Sequence, residues 1–362
     1  MTNFRVAIDT IRRPLISITD IVYSMPNISD VARRAEVSTA TVSRFLRGQH
    51  VRAAAAISQA VEDLGYRPAA AARSLRSGVH YAIAVVVPDV TNPFFAGLVK
   101  GIESVCRSGP YNVFLVNTDE SVDLEDSVVA DIMHRVDGII LTPATEQDKT
   151  PARIKQAGIP VVFADRELPG ERFDSVLVDN AGGGRAAVGY LAGLGHTRIA
   201  TISGPLNTTP GRERHEGFVV GAEDLGIPLP DEYIQIADFR EAGGYQAMLR
   251  LLALPEPPTA VFCANNLMTV GALKALYSMR VRVPQDLSIV GFDDLDLASL
   301  LWPPLTVIDR PTVEQGVLAA RLLLARLAGH GSPEPQRVVL STSLIERASC
   351  TAPPTGRAGQ GR

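Results

Sequence analysis

The chain has 362 residues, enough for two or three domains of roughly 100–150 residues each. Hydrophobic residues make up 46% and charged residues 20%, which excludes wholesale disorder, and no apolar run approaches the roughly 18 residues of a membrane span. The net charge of −4 hides a basic head: residues 1–78 carry 11 Arg and no Lys against 6 acidic residues, which leaves the remainder at −9 and points the head, not the body, toward a polyanion.

In chain order, residues 1–25 show no sustained period and read as a disordered extension, with Met25 as an alternative start. Asp9, Arg12, Arg13 and Asp20 break any apolar stretch a secretory signal would need, so a cytoplasmic protein is expected. From Asn27 the pattern turns helical. Asn27 and Asp30 form a capping-box pair for a first helix, Glu36-Val37 make a tight turn, and Ser38 caps a second helix through Leu46. A third helix carries Ile57, Val61 and Leu64 on one stripe and stops at Gly65. The middle helix opens with small polar residues, as a helix must whose first turn approaches base edges in a major groove.

Past His80, short aliphatic runs alternate with helical stretches: Ala82–Val87, Val113–Asn117, Gly138–Thr142, Val161–Ala164, Arg198–Ser203, Ala260–Ala264 and Ser288–Phe292. Runs of four to six residues spaced by helices predict parallel sheets with right-handed crossovers, and the length predicts two of them. Ligands of such sheets collect beyond the carboxyl ends of the strands. Those places hold Asp89, Asn92, Phe94 and Phe95, then Asp165 and Arg166, then Asn265 and Asp293, with Arg214 and Phe239 shortly after two further strands. Thr118, Thr142 and Ser203 sit in equivalent positions. Carboxylates, amides, guanidinium groups and rings converging from two subdomains suit a polyol. Singly, each has a plain structural alternative: Asp89 a turn, Phe94 a core ring, Asp293 a helix cap.

Enzyme signatures are absent from the sequence: it has no GxSxG elbow, no P-loop and no HExxH. Gly182-Gly183-Gly184 reads as the crossing between subdomains, not as a strand-turn-helix phosphate loop. Three separated cysteines (Cys106, Cys263, Cys350) and scattered histidines give no disulfide framework or metal set, so no cofactor is expected.

Ile28-Ser29-Asp30-Val31-Ala32, Ala35-Glu36-Val37-Ser38, Thr41-Val42-Ser43-Arg44, Leu64-Gly65-Tyr66-Arg67-Pro68 and Ala72-Arg73-Ser74-Leu75, in that order, resemble the lac repressor (LacI/GalR) family of bacterial transcription regulators. The resemblance runs from about residue 26 to about 350. It implies an N-terminal all-α helix-turn-helix head (26–68), a hinge helix (69–78) and an α/β periplasmic-binding-protein-like core (79–350) with two parallel-sheet subdomains, then a disordered tail (351–362). The first subdomain takes about 79–180 and 310–340, the second about 181–309 and 341–350.

By that resemblance, Thr39, Ala40 and Arg44 face bases, while Ser38, Thr41 and Ser43 touch phosphates. The hinge brings Arg73 to DNA and Leu75 as a minor-groove wedge. The cleft residues above become the effector site, the effector a sugar, and the protein a homodimeric repressor on a pseudo-palindromic operator. Related proteins dimerise through the helix around Phe95–Ser108. A solute-binding protein sharing the core is the alternative function.

Four departures stand out. Glu36 occupies a turn position where the family has Gly, and Asn265-Asn266 replaces the family's Asn-Asp. The loop after Gly48 is about three residues short, and the third helix begins Ala53-Ala54-Ala55-Ala56 where phosphate-binding side chains are usual.

Overall fold

The computed structural model describes residues 26–66, 79–146, 150–170, 172–294 and 298–354. Expectations for 1–25, for the hinge with Arg73 and Leu75, and for the tail past 354 lie outside the described residues. The chain divides into two compact units, 1–79 and 80–362.

In the first unit, α1 (Ile28–Arg34), α2 (Thr39–Phe45) and α3 (Ala54–Asp63) enclose a core of Val31, Ala32, Ala35, Val42, Val51, Ile57, Ala60 and Tyr66. Asn27 Oδ1 accepts from Ser29 N at 2.8 Å and Asp30 Oδ2 accepts from Asn27 N at 2.9 Å, so orphan amides at the start of α1 are satisfied reciprocally. Ser38 Oγ caps α2 through Thr41 N, while α3 starts with no side-chain cap at Ala53. Glu36 has φ +54°, the left-handed backbone its turn requires, and Gly65 ends α3 at φ +58°.

The second unit contains two six-stranded sheets. The first is built from β1 (Ala82–Val87), β2 (Asn112–Asn117), β3 (Gly138–Leu141), β4 (Val161–Ala164), β5 (Asp174–Val178) and β11 (Arg337–Leu340). Its spatial order is β11-β5-β4-β3-β1-β2, all parallel. The second holds β6 (Ile199–Ser203), β7 (Ile234–Ile236), β8 (Ala260–Cys263), β9 (Ser288–Phe292), β10 (Thr306–Asp309) and β12 (Ser343–Ile345). Its order is β12-β10-β9-β8-β6-β7, parallel except for the antiparallel β12 edge.

In both sheets the second strand lies outside the first, so the winding reverses between β1 and β3 and again between β6 and β8. Such reversals open a crevice at the carboxyl ends of the strands. Helices α4 (Pro93–Cys106), α5 (Val122–Ile132), α6 (Thr150–Gln156) and α11 (Thr312–Leu327) belong with the first sheet. Helices α7 (Asn180–Gly193), α8 (Thr209–Asp224), α9 (Glu241–Leu252) and α10 (Asn266–Ser278) belong with the second. The chain crosses between sheets after β5, after β10 and after β11.

Two expectations take a more specific form. Gly182–Gly184 do follow a strand and lie in the first turns of a helix, capped by Asp179. Their role is packing: a Cβ on Gly184 would sit 2.3 Å from the Arg214 carbonyl oxygen, and one on Gly217 would sit 2.1 Å from that of Ala181. Glycine at both contacts lets α7 and α8 approach backbone to backbone. Secondly, the apolar residues of α4 (Phe94, Phe95, Leu98, Ile102) are buried, and α11 closes on it where Gly101 and Gly316 admit the facing backbone. The outward face of α4 is Ala96, Lys100 and Ser104. Exposed apolar surface lies elsewhere, at Phe114 and Leu115 on edge strand β2 and at Tyr277, Leu300 and Trp302, the last 97% exposed.

Candidate functional site

On the head, Val42 is the only buried residue of α2. Ser38, Thr39, Ala40 and Arg44 are exposed, and Thr41 and Ser43 half-buried. Ser38 and Thr41 share a hydroxyl–hydroxyl bond of 2.9 Å, and Arg44 Nη2 leans on Thr41 Oγ1 at 3.4 Å. Ser38 and Thr41 are therefore engaged in holding the start of the helix. Arg33, Arg47 and Arg52 add exposed cations that the motif reading did not single out.

The larger site is the crevice between the two sheets of the second unit. Asp89, Asn92, Phe94, Phe95, Asp165, Arg166, Arg214, Phe239 and Asn265 line it. Asp293 stands one shell back, holding Arg310. Glu120, Pro210, Asp238, Arg240 and Arg310 also line the space and were missed. Arg310 follows β10, whose four residues Thr306–Asp309 escape recognition as a strand; the rule that found Asp165 and Asn265 would otherwise have found it. Thr118 and Thr142 instead turn inward, donating to the carbonyls of Val87 (3.3 Å) and Ala164 (2.9 Å). Ser203 bonds Thr201 and His215.

Arg310 Nε donates to Asp293 Oδ1 at 2.6 Å and its Nη1 to Asp165 Oδ1, while its Cζ lies 3.5 Å from the centre of the Phe94 ring. Burial works against its charge, but the two carboxylates outweigh burial and hold it above its usual range. No carboxylate among the described residues hydrogen-bonds Arg214. Its Nε donates to Asn180 Oδ1 (2.8 Å) and its Nη1 to the Ala264 carbonyl (2.7 Å), and its Cζ stacks 3.5 Å over Phe292. Burial, then the neighbouring Arg310, pull its pKa down to about 9.

Arg166 is fully engaged by Glu120 through two bonds of 2.7 Å and by the carbonyls of Pro143 and Ala144, apart from its Nε. Arg214 Nη2 and Asp293 Oδ2 are buried and find no hydrogen-bond partner among the described residues. An orphan donor on a residue lining the crevice and an orphan acceptor on the carboxylate behind Arg310 each cost stability unless something else satisfies them.

Backbone strain collects here too. Asp119, Glu120, Asp165, Phe239 and Asp293 all have φ between +50° and +71°, and each follows or lies near a strand end at the crevice. Bonds also cross it. Asn266 Nδ2 donates to Asn92 Oδ1 at 2.8 Å, Arg212 Nη2 to Glu146 Oε1 at 2.9 Å, and Arg240 Nη2 to Asp119 Oδ1 at 3.1 Å. The Asn266 bond depends on an amide, since an aspartate in its place could not donate to Asn92.

No helix among the described residues is long and apolar enough to cross a membrane, and no group of three or more potential metal ligands occurs among them. Residues 27–69 match the family of bacterial regulatory proteins, lacI family, and residues 188–350 match a periplasmic binding protein-like domain. The ribose operon repressor of Escherichia coli K12 is 39% identical over 332 residues, spanning 90% of this chain and all of that one. The crystal structure of the lac repressor dimer bound to operator and an anti-inducer superposes with TM-score 0.78 at 27% identity, covering 90% of this chain and 99% of that one. A regulator from Enterococcus faecium with bound ribose matches with TM-score 0.66 at 32% identity, covering 75% of this chain and 99% of that one. The match of the head, together with the core, decides for a DNA-binding regulator over a solute-binding protein. The chain belongs to the lacI family of bacterial regulatory proteins.

Proposed function

We propose that the chain represses transcription as a homodimer on a pseudo-palindromic operator, and that a small uncharged sugar, with ribose the first candidate, sets its operator affinity. The observation that carries the effector is the pair of orphan atoms. Arg214 Nη2 needs an acceptor and Asp293 Oδ2 needs a donor. Sugar hydroxyls can accept from the one and donate to the other, and the Phe239 ring lines the crevice for the C–H side of the sugar. Relatives named for ribose, and one with ribose bound, support the choice.

On the head, Thr39, Ala40 and Arg44 read bases, with Arg44 on guanine, and Ser38, Thr41 and Ser43 position the helix on phosphates. Arg73 and Leu75 act from the hinge. Two copies meet through Phe114 and Leu115 on one subdomain and Tyr277, Leu300 and Trp302 on the other, apolar surface too exposed for a monomer to leave bare. The lac repressor that this chain resembles is a dimer. Isothermal calorimetry with a panel of pentoses and hexoses tests the effector. Ribose is expected to bind saturably, and a panel without any binder refutes the sugar reading.

A further inference from the structure

The segment joining β10 to α11 runs from the second sheet to the helix packed on the first. Arg310 sits on it and reaches back into the crevice. Its guanidinium holds Asp165, which follows β4 in the first sheet, and Asp293, which follows β9 in the second. Its plane covers Phe94 at 3.5 Å. One side chain thus ties both subdomains together from the link between them. It does so with the carboxylate oxygens and ring face that a polyol would use.

We propose that Arg310 is a built-in occupant of the effector site, a guanidinium that the sugar must displace from Asp165, Asp293 and Phe94 in order to bind. The inference rests on the sugar reading above. Sugar hydroxyls can replace the guanidinium N–H donors one for one at the carboxylates, and a sugar C–H face can replace its stacking on the ring. Arg214 favours the exchange. It is a buried cation whose charge Arg310 disfavours, so removal of Arg310 relieves repulsion between the two. Because Arg310 lies on the crossover, its release changes what holds the two subdomains together. Effector occupancy is thereby linked to the subdomain arrangement through a side chain rather than through the ligand alone.

Arg310→Ala in the full-length chain tests this with methylguanidinium as the probe. The variant is expected to bind methylguanidinium in calorimetry and gain thermal stability from it, while wild type does neither. Ribose is expected to bind the variant at least tenfold more tightly than wild type, and methylguanidinium to weaken ribose binding competitively. Absence of methylguanidinium binding, ribose affinity unmoved by it, or a tenfold loss of ribose affinity in the variant overturns the inference. If ribose binds neither protein while methylguanidinium still rescues the variant, the sugar reading fails and Arg310 stands as a subdomain clamp. Should the variant not fold, Arg310→Lys decides. It keeps the charge without the planar fork, and at least a threefold gain in ribose affinity is expected; no gain overturns displacement.

Discussion

Glu36 is a residue whose cost is visible. At φ +54° an L side chain is strained by about 1 kcal/mol relative to glycine, and here it also places a carboxylate on a DNA-facing unit. Glu36→Gly is expected to stabilise the head by about 1 kcal/mol in denaturant unfolding and to tighten operator binding. Arg44 is expected to read one base. Arg44→Ala should then erase discrimination at a single operator position by about 1–3 kcal/mol, and a uniform loss across operator variants would assign it to a phosphate instead. In the cleft, Asp293→Ala and Arg214→Ala should each abolish the sugar response while leaving operator binding near wild type. Each removes a buried charged partner, for which about 2–5 kcal/mol of binding is typical, and unchanged sugar heats in both variants would move the site elsewhere.

Residues directly past a strong aliphatic strand were legible from the sequence, because a parallel strand announces itself and its carboxyl end is where ligands sit. Arg310, Asp238 and Arg240 were not. The first follows β10, which has the same length as β4 and β8 but opens with Thr and closes with Asp where those two are apolar throughout. The others flank Phe239 past β7, whose three residues are interrupted by Gln235.

Among the elements, three further missed strands share one feature. β5 opens with Asp-Ser, β11 with Arg, and β12 with Ser, so polar residues dilute each apolar run. What makes them strands is the neighbour in space, since β11 pairs with β5 across a long sequence separation. Glycine use at helix contacts was likewise unreadable without the partner helix. In α7, Gly184 meets the backbone of α8, whereas Gly189 meets nothing within 4 Å. Gly184→Ala is therefore expected to destabilise by about 1–3 kcal/mol and, because Arg214 lies on the displaced helix, to weaken sugar binding as well. Gly189→Ala should stabilise by about 0.5–1 kcal/mol and leave the sugar unaffected. Thermal melts and calorimetry on the two variants separate the outcomes, and equal behaviour would refute the packing role of Gly184.

At the scale of the whole molecule, an acidic two-sheet core carries the cleft and a basic three-helix unit carries the DNA surface. Regulation requires that the two binding events share free energy, and the sharing is reciprocal: a sugar that changes operator affinity must have its own affinity changed by operator by the same factor. Couplings of this kind are typically about 5–150-fold. The most direct measurement is operator affinity by fluorescence anisotropy, at fixed salt, across a titration of ribose or of whichever sugar calorimetry selects. At least a fivefold shift is expected, saturating at the sugar's own dissociation constant and absent in Arg214→Ala. An operator affinity that stays constant while the sugar demonstrably fills the cleft would contradict the account.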